Sequence, residues 1–117
     1  MRIAFFDPFS GASGDMLLGA LLDAGLPLTE LRAALGKIDL FGYDLRVERV
    51  SQHGIAGTRV TVVVDDDQPS RNWAEIRNLL EASALADPVR AAALAVFERL
   101  AAAEAKVHGV TPEEVHF

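Results

Sequence analysis

Asp7-Pro8-Phe9-Ser10-Gly11-Ala12-Ser13-Gly14-Asp15 gathers two carboxylates, two hydroxyls and two glycines within nine residues. The segment falls between a short apolar run and a helical pattern. A helix start carries unpaired N–H groups and partial positive charge, which suits an anion. Gly11 and Gly14 let backbone approach a ligand, Ser10 and Ser13 add hydroxyl donors, and Asp7 and Asp15 can hold a divalent cation beside a phosphate. The segment has no lysine, and its glycine spacing matches neither a Walker A loop nor a dinucleotide fingerprint. The plainer alternative is a tight turn with Ser13 as N-cap and Asp15 complementing the helix dipole.

A second group is Glu104 and His108, four residues apart, with His116 eight further on. Four residues is one helical turn, so a carboxylate and an imidazole can share one metal ion. Imidazole suits nickel or zinc. The alternative is a surface pair in which His108 favours a helix C-terminus. His53, in Ser51-Gln52-His53-Gly54, is either a solvated turn residue or a side chain aimed at a ligand. Arg71 can bind a phosphate or simply lie at the surface. Trp73 reads as core. No nucleophile elbow is present for a Ser-His-Asp triad. A metal-dependent phosphohydrolase using Asp7 and Asp15 lacks an evident general base.

These groups need elements to position them. Met1 to Asp7 reads as a strand, with its apolar run at Ile3 to Phe6, stopped by Pro8. Asp15 to Ala24 reads as a helix, and Thr29 caps a second through Leu35. Tyr43 to Val50 alternates as a half-buried strand, and Thr58 to Val64 is β-branched almost throughout. The two form an antiparallel hairpin with a longish loop over 51–57. Asp65 to Ser70 is an acidic linker. Trp73 to Ala82 is a helix. Asp87 caps a long helix with Pro88 at its first position, running to about Val107. Its face carries Val89, Ala93, Val96, Phe97, Leu100, Glu104 and Val107. Thr111-Pro112 starts one more turn. The order predicts an α/β fold: a small mixed sheet of about three strands with helices packed on it, in a single domain over 1–117.

Composition narrows the chemistry. Half of the 117 residues are hydrophobic, enough for a core. Seventeen acidic residues against eleven basic ones give a net charge of -6, which argues against DNA or RNA as a partner. The chain has no cysteine, so thiolate metal sites and disulfides are excluded. Charges interrupt every apolar stretch, and the N-terminus has no signal-peptide pattern, which predicts a cytoplasmic protein without membrane contact.

Three blocks together resemble the LarC-type nickel-insertion family. They are Asp7 to Met16; Gly42-Tyr43 with the strand that follows and Ser51-Gln52-His53-Gly54-Ile55-Ala56-Gly57-Thr58; and Ala103 to Gly109 with Glu114-Val115-His116-Phe117. The resemblance covers the whole chain in order. It implies a nickel chelatase of the lyase class. Such a protein inserts Ni²⁺ into pyridinium-3,5-bisthiocarboxylic acid mononucleotide, completing the nickel-pincer cofactor of lactate racemase-type enzymes. It uses CTP with Mg²⁺ or Mn²⁺, through a cytidylylated intermediate.

On that resemblance the chain is the N-terminal part of a longer insertase. The CTP-binding C-terminal part is absent, so this part is expected to be incomplete for catalysis. Asp7, Ser10, Gly11, Ser13, Gly14, Asp15 and His53 are the expected ligand or phosphate contacts. Glu104, His108 and His116 are the expected Ni²⁺ ligands. The C-terminal half of the same protein is an expected partner, and a homo-oligomer is compatible with the sequence. Family members often carry a histidine-rich stretch before the region of Trp73. Here that stretch is Asp65 to Asn72, so nickel storage by a histidine tract is not expected. The alternative from another class is a scaffold domain that docks the C-terminal half or another subunit through the alanine-rich face of the long helix.

Overall fold

The computed structural model describes Met1 and residues 3–117; Arg2, part of the expected opening strand, lies outside the described residues. The elements are α1 (Gly14–Asp23), α2 (Leu28–Leu35), β1 (Tyr43–Gln52), β2 (Ile55–Val64), α3 (Trp73–Glu81), α4 (Asp87–His108) and a 3₁₀ turn (Pro112–Glu114). The class is α/β, as the element pattern predicts. The chain divides into two compact units. One comprises Met1–Leu28 and Tyr43–Val64, the other Thr29–Gly42 and Asp65–Phe117.

The first unit is built on the β1–β2 hairpin, paired antiparallel from Tyr43↔Val64 to Gln52↔Ile55. The expected long loop is a two-residue turn instead. His53 and Gly54 both have positive φ, 52° and 79°. This is the mirror-image turn whose twist matches that of paired strands, and glycine at its second position removes the steric penalty there. Each strand therefore extends further than the alternation suggested. Leu45 and Val60 are the buried side chains. α1 packs on β2 at Gly19, where an added Cβ would meet the Thr58 carbonyl oxygen at 2.5 Å.

The sheet has two strands, both antiparallel, rather than a mixed three. Ile3 to Phe6 belongs to no ladder. The hairpin forms because its turn holds the strands in register locally. A strand at 3–6 needs a partner remote in sequence, and none of the described residues supplies one.

The second unit centres on Trp73, which is 5 % exposed. Its ring lies 6.4 Å from that of Phe97 at 15°, and Phe97 meets Phe117 edge-on at 5.7 Å. The Arg77 guanidinium sits 5.7 Å from the Trp73 ring. α3 begins with a full capping box: Glu75 N–H donates to Asn72 Oδ1 at 2.9 Å, and Asn72 N–H donates to Glu75 Oε2 at 2.8 Å. The last residues run back beside its start, with Trp73 N–H donating to the Val115 carbonyl and Phe117 N–H to that of Arg71.

α4 is turned from its expected orientation. Ala101 and Ala105 are buried, whereas Val89, Val96, Leu100 and Val107 are exposed. The buried row continues through Leu94 and Phe97, both half-buried. Small alanines admit α3 and the 3₁₀ turn closely, which a row of valines would not. Two caps also differ. Asp87 is the first helical residue, with Ala86 at the cap position, and α2 starts at Leu28, one residue before Thr29.

Candidate functional site

Phe9 N–H donates to the Asp7 carbonyl and Gly11 N–H to that of Pro8, each at 3.0 Å, so the segment before α1 coils tightly. Ser10, Gly11 and Ser13 are exposed in it, and Gly14 and Asp15 open the helix. Ser13 occupies the N-cap position but makes no capping bond to backbone. Its hydroxyl donates to the Asp15 carboxylate instead. That bond, aided by backbone N–H groups of the first turn, holds the Asp15 carboxyl below the ordinary aspartate range. Asp15 is thus ionised at neutral pH and available to a cation.

Asp15 lines an open cavity of about 530 Å³ along β2, which Gln52, Thr58, Arg59 and Thr61 also line. Arg59 suits a phosphate and Asp15 a phosphate-bound cation. Sequence alone does not mark Arg59 or Thr61, because β2 reads as a strand and nothing more, nor Gln52, which falls in the loop expected over 51–57 and ends β1 instead. The period-2 alternation of β2 was the available signal, since it places Arg59 and Thr61 on one face. His53 sits at the exposed hairpin tip, where turn geometry accounts for its position.

Asp23, at the end of α1, joins Thr58 and Arg49 into a second polar group of this unit. The Thr58 hydroxyl donates to Asp23 at 2.7 Å, and Arg49 forms an ion pair with the same oxygen. The Asp23 carboxyl is held below its ordinary range, first by the Thr58 hydroxyl and then by the Arg49 charge. A lowered folded-state pKa stabilises above the unfolded value and loses that stabilisation as pH falls through the folded one. Urea midpoints should therefore drop below about pH 4, and Asp23→Asn should flatten that limb. An unchanged acid limb in the variant would remove this group from the account.

The metal candidates belong to the second unit. Glu104 Oε2 lies 3.2 Å from His108 Nε2, one turn apart on α4 and largely exposed. His116 pairs through backbone with Asn72. Among the described residues, no group of three or more His, Asp or Glu side chains is placed to hold a metal ion. Glu104 and His108 thus offer two donors, and His116 is not brought to them. Arg71 lines a separate, mainly apolar cavity of about 280 Å³ with Leu79, Phe97 and Phe117. No helix among the described residues is long and apolar enough to cross a membrane.

The family model for nickel insertion protein matches residues 4–117, so the chain belongs to the nickel insertion protein family. A relative from Thermomicrobium roseum named for nickel insertion is 62 % identical over 118 residues. One from Syntrophobacter fumaroxidans, also named for nickel insertion, is 56 % identical over 117. A third, from Nocardioides sp., is 52 % identical over 117 residues and is named pyridinium-3,5-bisthiocarboxylic acid mononucleotide nickel insertion protein. Each alignment covers all of this chain but 29–30 % of the relative, so the chain spans under a third of their length. No solved structure matches the chain.

Proposed function

We propose that this chain serves nickel insertion into pyridinium-3,5-bisthiocarboxylic acid mononucleotide, with Ni²⁺ as the substrate metal. The observation that carries the reading is the family match over residues 4–117, joined to the acceptor named in the Nocardioides relative. The chain's donor chemistry suits it. Without cysteine, the chain offers imidazole and carboxylate, which hold Ni²⁺ less firmly than sulfur donors do. Transfer from Glu104 and His108 to thiocarboxylate sulfur therefore runs towards the softer ligand. His116, which this chain alone does not bring to that pair, would join the donor set only together with residues outside this chain. In the first unit, the start of α1, Ser13 and Arg59 receive the mononucleotide phosphate, and Asp15 holds a cation against it. Asp7, Ser10, Gly11 and Gly14 shape that turn. CTP with Mg²⁺ or Mn²⁺, implied by the resemblance, binds mainly on polypeptide outside this chain, which leaves the chain alone short of a full catalytic cycle.

Calorimetric titration of Ni²⁺ into the chain extended past Phe117 with the sequence of a relative tests the metal assignment. His108→Ala combined with His116→Ala should weaken binding by at least about tenfold. Equal affinity in the double variant would remove these ligands. Separately, Arg59→Ala should weaken binding of the mononucleotide acceptor and leave Ni²⁺ affinity unchanged. The reading as a whole fails if nickel never reaches the acceptor when the chain is supplied with the remaining two-thirds of a relative.

A further inference from the structure

The first unit buries little of its apolar surface. Leu45 and Val60 are its only buried large hydrophobic side chains among the described residues. Meanwhile Ile3 is 79 % exposed, Phe5 87 % and Phe6 46 %, and Val62, Val63 and Val64 also face solvent. Solvated single apolar residues are ordinary, but two uncharged runs in one small unit are not. A strand alternates faces, so Ile3 and Phe5 would point one way and Ala4 and Phe6 the other. A strand apolar on both sides belongs inside a sheet, with strand neighbours and cover on each face. Val62 to Val64 repeats that two-sided pattern at the end of β2, where Val63 lies opposite Asp44 and its neighbours lie opposite Leu45 and Tyr43. The two-stranded hairpin provides neither neighbour nor cover for Ile3 to Phe6.

We infer that these two apolar runs are covered by polypeptide from the part of the longer family members that the chain does not span. That polypeptide adds a strand beside Ile3–Phe6 and covers Val62–Val64. Relatives matched along this entire chain are more than three times its length, so family members carry the material required. Neither run carries a charge, which favours an obligate, core-like contact over a charged, transient partner. Strand addition also satisfies backbone donors and acceptors that apolar side chains alone would leave to water. The docking surface is thus formed by these two runs of the first unit, not by the alanine-rich face of α4. It is independent of the Ni²⁺ ligands proposed above, while Val62 also lines the cavity beside Asp15.

The test mixes this chain with the remaining part of the Thermomicrobium roseum relative, made separately. A one-to-one complex is expected by light scattering, with hydrogen exchange slowed at residues 3–6 and 62–64. Phe5→Asp should weaken the complex by at least about tenfold, since an exposed aromatic would otherwise be buried there. Because Phe5 is exposed in the chain alone, its circular dichroism should not change. Val96→Asp, on the exposed side of α4, should leave affinity as it was. Several results would overturn the proposal: no complex, unchanged exchange at 3–6, equal loss from Val96→Asp, or a homodimer of the chain that Phe5→Asp dissolves.

Discussion

Gly19→Ala should destabilise the chain by about 2 kcal/mol, the net of two opposed effects. Alanine is the better helix former by about 1 kcal/mol, which on its own predicts a gain. Against it stands the Thr58 carbonyl oxygen, 2.5 Å from where the Cβ would lie. That oxygen is backbone, held in the strand paired through Arg49↔Thr58, so it cannot swing aside like a side-chain tip. The helix must retreat instead. Retreat loosens α1 from β2 and stretches the Thr58–Asp23 hydrogen bond, and overpacking of this kind costs about 1–3 kcal/mol before the lost contacts are added. The thermal midpoint should fall by about 10 °C for a unit of this size. Gly14→Ala is the control, because nothing lies within 4 Å of its added Cβ. Its midpoint should hold or rise. A Gly19→Ala protein as stable as the parent would mean that α1 does not approach β2 this closely.

Trp73→Ala should be more damaging, at about 3–5 kcal/mol. The ring is buried, stacks on Phe97 and lies under Arg77. Its backbone N–H also holds the returning C-terminal segment through Val115. Removing the ring leaves a cavity between α3 and α4, and rigid helices close such a gap only partly. A loss of that size approaches the whole stability of a small domain. The variant should therefore lose helical circular dichroism at 222 nm well below the parent's midpoint. Trp73→Phe should recover part of the loss by keeping an aromatic face against Phe97. If Trp73→Ala cost less than about 1 kcal/mol, the second unit would not be organised around this ring.

Much of the local structure can be read directly from residue order. Pro88 one residue after Asp87 announces the start of α4, and Gly109 its end. β-branched residues from Thr58 to Val64 announce β2, and the alternation from Tyr43 announces β1. The candidate site is only partly legible. Glu104 and His108 meet because four residues make one helical turn, a relation that needs no knowledge of the rest of the molecule. Arg59 is not legible in the sequence as a cavity residue, because its place there depends on α1 lying across β2, and no spacing rule within a strand reports that.

What the sequence determined by itself was the identity and rough extent of the four helices and the β1–β2 pair, the absence of thiolate chemistry, and the family, because these depend on composition and on residues that are neighbours along the chain. Tertiary structure alone decided the strand count, the buried row of α4 and the company of Asp15. A strand exists only where a second backbone lies alongside. A helix buries whichever row its neighbours can approach, and here small Ala101 and Ala105 admitted them where larger valines would have held them off. A cavity takes its walls from elements that share no sequence, so Asp15 and Arg59 line the same one only because α1 packs on β2.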